Sequence, residues 1–168
     1  MQQRRVRKKT KKNYWSQFVL YLLLSLIVII IGTILFFSNA LKPEDNGFNE
    51  VKSVARNKGI TNFNNFMTVN QKVTYYAVGG VKDGRSVYFI LNKHNHRSKL
   101  VNVNNGTTKN YILNKVWNTQ KPKRVYNIGL VFKNKKAVWE VSLLNNNGRL
   151  CYDLFTFNTG KLIKSEIL

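Results

Sequence analysis

The longest apolar run of the chain lies close to its N-terminus. No charged residue occurs between Lys12 and Lys42, and residues 18–37 are almost all aliphatic or aromatic. As an α-helix at about 1.5 Å per residue, this run is about 30 Å long, which matches the hydrocarbon layer of a bilayer. The pattern therefore predicts a transmembrane anchor over residues 14–41.

The two flanks of this anchor differ in charge. Seven arginines and lysines and no acid precede it, in a tail of residues 1–13, whereas Glu44 and Asp45 accompany Lys42 on the other side. The positive-inside rule therefore predicts a single-pass protein of the cell membrane with a cytoplasmic N-terminus and an extracellular C-terminal domain. A cleaved signal peptide is the alternative, since residues 38–40 resemble a cleavage site, but its apolar region is usually shorter, about 7–15 residues.

After the anchor, helical periodicity gives way to strand periodicity. Residues 43–58 have apolar side chains at helical spacing, among them Phe48 and Val51, and Gly59 is a typical C-terminal stop. Three strands are predicted next, and Asp83-Gly84, between the first two, is a hairpin signal. Their ranges are residues 73–81, 85–91 and 99–103.

The same order of elements recurs in the second half of the chain. Thr107 or Thr108 is positioned to cap a helix that continues to about Trp117. Four strands follow, over residues 124–132, 137–144, 149–157 and 161–167.

The two halves also match residue by residue. Gly84–Tyr88 aligns with Gly148–Tyr152, and Tyr76–Val78 aligns with Trp139–Val141. A unit of about 60 residues is only marginally stable alone, so we expect the halves to pack together. The predicted fold class is α+β: an N-terminal transmembrane helix followed by two small duplicated units, residues 42–104 and 105–168, each a helix packed on an antiparallel meander.

The exported part is strongly basic. Of the 28 lysines and arginines, 21 lie beyond the tail together with all seven acids, so residues 41–168 carry a net charge of about +14. Outside the cytoplasm, this charge favours anionic wall polymers or lipid head groups over nucleic acid as partners. The alternative is that scattered surface charge only confers solubility. Cys151 is the single cysteine, so the domain has no internal disulfide.

Several segments of the second half resemble the closing strands of a PepSY domain. They are Val138–Val141, Asn147-Gly148, Tyr152-Asp153 and Asn158–Leu162. With the basic tail, the anchor and Tyr75-Tyr76 in the first unit, the chain resembles the TseB (YpmB)-like cell wall elongation regulators of Gram-positive bacteria, which have tandem PepSY-like, or cystatin-like, units. The resemblance implies contact with an elongation-specific class B penicillin-binding protein. Its structural signature falls on Trp139, Glu140, Tyr152, Asp153 and Gly160.

Two acids of the second unit form a candidate chemical site. If residues 145–148 form a four-residue turn, Leu144 pairs with Arg149, and Glu140 then lies directly opposite Asp153 on a neighbouring strand. Paired carboxylates can serve as a general acid and base. The alternative, which we favour, is a structural ion cluster, because lysines and arginines are abundant nearby and no nucleophile accompanies the pair.

The matching positions of the first unit are a candidate partner surface. There, Ala77 and Phe89 replace the two acids, and Tyr75 and Tyr76 lie beside them. An exposed apolar patch of this kind often marks an interface. The alternative is that these residues pack the two units together.

No recognisable catalytic motif occurs in the chain, so we expect a protein that is not an enzyme and has no cofactor. His94 and His96 are two imidazoles without evident further ligands, so no metal site is predicted. Besides wall-elongation regulation, two functions remain open. One is PepSY-type modulation of an extracellular protease, and the other is binding of anionic wall polymer without a protein partner.

Overall fold

The computed structural model describes residues 14–168, except for the side chains of residue 16 and of residues 38–45. The predicted basic tail, residues 1–13, lies outside the described residues. The chain divides into two compact units between Pro43 and Glu44, which we call the N-terminal unit and the C-terminal unit. The elements are α1 (Tyr14–Arg56), β1 (Thr61–Asn70), β2 (Thr74–Lys82), β3 (Arg85–Asn92), β4 (Ser98–Asn102), a short 3-10 helix (Val103–Asn105), α2 (Lys109–Gln120), β5 (Arg124–Lys133), β6 (Lys136–Leu144), β7 (Leu150–Thr156) and β8 (Leu162–Ile167).

The N-terminal unit contains the apolar part of α1. Residues Gln17–Phe37 are long and apolar enough to cross a membrane by length and composition. The hydroxyls of Ser25 and Thr33 donate to the carbonyl oxygens of Leu22 and Ile30, at 2.8 and 2.7 Å. Both polar side chains are thus hydrogen-bonded within the helix, as lipid requires.

Each half of the C-terminal unit, Glu44–Leu168, is a helix and a four-stranded antiparallel meander. Sheet 1 has the order β1-β2-β3-β4, and sheet 2 has the order β5-β6-β7-β8. This confirms the predicted α+β class with helix-plus-meander units. β1 was not predicted, because its polar sequence breaks the period of two. Its pairing with β2 contains two register shifts, and Asn62 and Asn65 have φ of 49° and 50°.

The last turns of α1 cover one face of sheet 1. Val51 and Ala55 are fully buried there against Val78, Phe89 and other side chains of β2 and β3. α1 ends at Arg56, and Gly59 follows with φ of 78°, as its predicted role as a helix stop requires. In the second half, Thr108 caps α2, since its hydroxyl accepts a hydrogen bond from the Tyr111 amide at 3.1 Å.

The opposite face of sheet 1, which we call its inner face, packs on sheet 2. It presents Met67, Ala77, Tyr88 and Ile90, which share one buried cluster with side chains of α2 and sheet 2. Polar contacts also join the sheets. The Tyr75 hydroxyl donates to the Phe132 carbonyl at 3.3 Å, and the side-chain Nδ2 of Asn127 donates to the Thr68 carbonyl at 2.6 Å. The two halves therefore pack together, as their small size led us to expect.

Candidate partner-binding site

The turn between β6 and β7 sets the register that positions the two acids. Asn145 pairs with Arg149, whose carbonyl accepts from the Asn145 amide at 3.0 Å, and only three residues lie between them. The Asn145 side chain accepts from the amides of Asn147 and Arg149, and Gly148 has φ of 75°. A three-residue hairpin loop with a left-handed glycine is a common alternative to a four-residue turn.

The predicted register was therefore wrong by one residue. Leu144 pairs with Leu150, Glu140 with Leu154, and Val141 with Asp153. Since successive side chains of a strand point to opposite faces, Glu140 and Asp153 lie on opposite faces of sheet 2. The structure thus contradicts both the predicted carboxylate pair and an ion cluster shared by the two acids.

Asp153 lies beneath α2. It is fully buried, and its Oδ2 accepts a hydrogen bond from the side-chain Nε2 of Gln120 at 2.6 Å. Its Oδ1 has no hydrogen-bond partner among the described residues. In the internal alignment, Asp153 takes the place of Phe89, which is buried beneath α1 in the same way. Asp153 therefore occupies a core position, inaccessible to a partner.

Glu140 lies on the other face of sheet 2, where the end of β1 approaches. It is buried in a small pocket with Val69, Asn70 and Asn127 among its lining residues, and Lys133 Nζ lies 3.8 Å from its Oε2. Burial raises the pKa of Glu140 above its ordinary value; Lys133 acts in the opposite direction, while Glu166 raises it further. Glu140 is therefore a structural group, and its ionisation lowers the stability of the folded domain.

We expect Glu140→Gln to reduce the pH dependence of stability. Because the pKa of Glu140 is raised in the folded state, that state binds the proton more tightly than the unfolded chain does. The contribution of this carboxyl to the free energy of unfolding is therefore fully present below its ordinary pKa and falls as pH rises through its raised pKa. The melting temperature of the glutamine variant should fall less than that of the wild type between about pH 4 and about pH 7.

Lys133→Gln is the matched variant for this measurement. It removes the cation that opposes the raised pKa of Glu140, so the loss of melting temperature over the same range should become steeper. In the double variant the lysine substitution should have little further effect. Equal slopes for the wild type and Glu140→Gln would show that Glu140 does not control this pH dependence.

The predicted partner-contact residues are mostly inside the domain. Ala77 and Phe89 are fully buried, on opposite faces of sheet 1, and Tyr76 is buried with Phe89 beneath α1. Ala77 pairs with Ile90 and Val78 with Phe89, so Ala77 and Phe89 do not face each other either. Tyr75 is half-buried against Phe132, with ring centroids 5.3 Å apart. These positions favour the packing alternative over an exposed contact patch.

The remaining signature residues have structural positions. Trp139 is fully buried, and its indole nitrogen donates to Thr107 at 3.2 Å. Tyr152 is half-buried beside Glu140, and Gly160 ends the β7–β8 turn beneath Tyr111. Cys151 is buried and free, whereas His94 and His96 are exposed.

A group of neighbouring exposed apolar side chains lies instead on β8, the last strand of sheet 2. β8 pairs only with β7, so its outer edge has no strand partner among the described residues. Leu162, Ile163, Ile167 and Leu168 are all exposed there, and Lys164 and Glu166 form an ion pair on the same strand. We call these residues the β8 edge. The sequence predicted this strand, but it gave no sign that both of its faces are exposed.

An open edge strand with apolar side chains can bind another protein through its backbone and through its side chains. Its unpaired amides and carbonyls can bond an extended segment of another protein, and its side chains add apolar contact. Natural proteins usually protect such edges, so an open one is a typical interaction site.

Comparison with known structures gives one informative match. The YpmB protein from Bacillus subtilis superimposes with a TM-score of 0.60 at 17% sequence identity, and the match covers 71% of this chain and 96% of that one. A lipoprotein candidate from Clostridium difficile 630 matches with a TM-score of 0.39 at 11% identity, covering 68% of this chain and 86% of that one. No protein-family model and no curated protein sequence matches the chain. The predicted resemblance is thus confirmed at the level of the fold.

Proposed function

We propose that this protein, which has the fold of YpmB, is a membrane-anchored, extracytoplasmic regulator of cell wall elongation that acts by contact with an elongation-specific class B penicillin-binding protein. The observation that carries the proposal is the combination of that fold with an apolar helix preceded by a basic flank. In this proposal the chain crosses the membrane once, its N-terminus is cytoplasmic, and it performs no catalysis itself.

The anchor makes a weak contact sufficient. Two proteins held in one membrane meet in a thin layer, so their effective concentrations are far higher than in solution. A modest interface, such as a single added strand, then supports regulation of the partner without requiring tight binding in solution.

The β8 edge is the surface that we assign to this contact. The predicted contact residues Ala77 and Phe89 are buried, whereas Ile163 and Ile167 are exposed on an open edge. An extended segment of the transpeptidase would pair with the backbone of β8, and apolar side chains of that segment would cover the isoleucines. Acidic flanks on that segment would suit the net positive charge of the domain.

Site-specific photocrosslinking in living cells tests the proposal. A photoreactive residue is placed at Ile163 or Ile167 of the full chain, and at the exposed control positions Asn134 and Ser86. The β8 positions should give adducts with the class B transpeptidase, and the control positions should not. Adducts with an extracellular protease instead would favour the inhibitor function, and adducts with no protein would contradict the contact.

A charge substitution on the same strand gives an independent measurement. Because Ile163 is exposed, Ile163→Asp should change the free energy of unfolding by no more than about 0.5 kcal/mol. It should nevertheless abolish the adduct formed from Ile167. Retention of that adduct would place the contact away from β8.

A further inference from the structure

Two hairpin tips at one end of sheet 1 carry a group of cations. The β1–β2 and β3–β4 turns lie at the same end, because sheet 1 is an antiparallel meander. An open groove between them is lined by Lys72, Val73, Thr74, Lys93 and His94. The β3–β4 turn adds Arg97 and His96, both exposed. We call residues 71–73 and 93–97 the basic tip.

The β3–β4 part of the basic tip is internally hydrogen-bonded. Asn92 is buried, and its side-chain oxygen accepts from the amides of His94 and Asn95 at 3.0 and 3.2 Å. The Asn92 amide donates to the Arg97 carbonyl at 2.9 Å, and the Lys93 amide donates to the Thr74 carbonyl at 3.0 Å, which joins the two turns. The backbone is therefore fixed, and the charged ends remain exposed to solvent.

Lys93 is also oriented by an aromatic side chain. Its Nζ lies 5.7 Å from the centre of the Tyr76 ring. A hydrogen bond with the Tyr76 side chain, with a smaller contribution from Glu50, raises the pKa of Lys93. Glu50 acts on Lys93, and Glu166 interacts with Lys72, so these two acids stand against the three cations Lys72, Lys93 and Arg97. The basic tip therefore retains a positive charge.

The basic tip lies at the end of sheet 1 where the chain enters the domain. A Cβ built on Gly47 would be 2.7 Å from Cε1 of Tyr76, whereas Ile60, just after α1, lies against Gly80 near the β2–β3 hairpin. Gly47 follows Phe37, the last residue of the apolar span, by ten positions. Even a fully extended chain of that length reaches no more than about 35 Å. If residues Gln17–Phe37 span a membrane, Gly47 therefore lies no farther from the end of the span than this length.

We propose that the basic tip binds the phosphodiester head groups of anionic phospholipids at the surface of the membrane that α1 spans. Each lysine or arginine near an anionic membrane contributes about 1 kcal/mol of attraction at physiological salt, and the tether removes most of the cost of bringing the groups together. The consequence is a fixed orientation, in which the basic tip faces the lipid and the Asp83-Gly84 hairpin points away. The inference rests on the membrane anchoring in the proposed function and is independent of the transpeptidase contact.

The test uses the full chain in lipid nanodiscs. A fluorophore is attached through Gln71→Cys at the basic tip, or through Ser86→Cys at the opposite end of sheet 1, both exposed positions. Because Cys151 is buried, it does not compete for the label. A quencher carried on the lipid head groups reports how close each label lies to the membrane. Discs of phosphatidylglycerol with phosphatidylcholine are compared with discs of phosphatidylcholine alone.

We expect strong quenching of the Gln71→Cys label in anionic discs, and little quenching of it in neutral discs or in high salt. The Ser86→Cys label should be quenched little in both kinds of disc. The variant Lys72→Gln/Lys93→Gln/Arg97→Gln should lower the ratio of membrane-bound to free domain on the order of 100-fold, which follows from three such cations. Its control, Lys58→Gln/Lys82→Gln/Arg85→Gln, removes the same charge at the other end of sheet 1 and should keep the quenching.

Three results would overturn the inference. One is equal quenching of the Gln71→Cys label in anionic and neutral discs. A second is equal loss of quenching in the two triple variants, which would show an effect of net charge alone. A third is a response to soluble polyglycerol phosphate without a response to anionic discs, which would assign the tip to a wall polymer. Failure of the chain to enter the discs would overturn the anchoring as well, so the two failures are distinguishable.

Discussion

Trp139→Ala should lower the free energy of unfolding of the domain by about 3–5 kcal/mol, the range for truncating a large buried aromatic side chain. Trp139 is fully buried and contacts both sheets. Its ring packs edge-on against Tyr88 of sheet 1, with centroids 6.0 Å apart, and in a tilted arrangement against Phe157, with centroids 6.3 Å apart. The substitution also leaves the Thr107 carbonyl without its indole donor.

Denaturant unfolding followed by circular dichroism measures this effect on residues 44–168, which contain all three buried clusters of the described chain. Trp117→Ala is the matched control, because 45% of Trp117 is exposed, and it should cost much less. Because Trp139 contacts both sheets, the unfolding transitions followed in the far and near ultraviolet should shift together to lower denaturant concentration. A loss below about 1 kcal/mol for Trp139→Ala would contradict this packing.

Gly160→Ala should cost about 2–4 kcal/mol, for two separate reasons. Gly160 has φ of 63°, and an L-residue in that left-handed conformation costs about 1–2 kcal/mol. A Cβ there would also lie 2.7 Å from Cε1 of Tyr111 and 3.1 Å from Cδ1 of Ile112, so α2 would have to move away from the β7–β8 turn.

Gly84→Ala separates these two reasons. Gly84 has φ of 72°, but a Cβ there would meet no atom within 4 Å. It should therefore show only the backbone cost, and the difference between the two variants measures the packing of α2 on the turn. Thermal unfolding of both variants gives the comparison, and equal losses would show that this packing contributes nothing.

Much of the fold follows from periodicity in the sequence. The apolar run, the two helices and seven of the eight strands have strong local signals, such as the Asp83-Gly84 hairpin and the Thr108 cap. β1 has none, because its apolar residues Phe63 and Phe66 are three positions apart instead of two, and two asparagines at positive φ interrupt the regular strand. A bulged strand of this kind can be identified only from its pairing with the neighbouring strand, here β2.

The predicted site failed for a different reason. A single side chain, Asn145, stabilises a three-residue loop where four residues were expected. The resulting shift of one residue in register places Glu140 and Asp153 on opposite faces of sheet 2. Sequence alone also could not show that both faces of sheet 1 are covered, one by α1 and one by sheet 2, which buries Phe89 and Ala77. Burial on two sides depends on tertiary packing between segments far apart in the chain.

The inner face of sheet 1 has a consequence for the nascent chain. Residues 61–102, which form sheet 1, are translated before any strand of sheet 2, yet Ala77, Tyr88 and Ile90 are covered only by that later half. At about 5–20 residues per second, the missing 60 or so residues take about 3–12 s to synthesise. During that interval the apolar inner face of sheet 1 has no intramolecular cover, so we expect the nascent chain to be prone to aggregation. Polypeptides truncated near residue 105 should therefore aggregate instead of yielding a half-sized native protein.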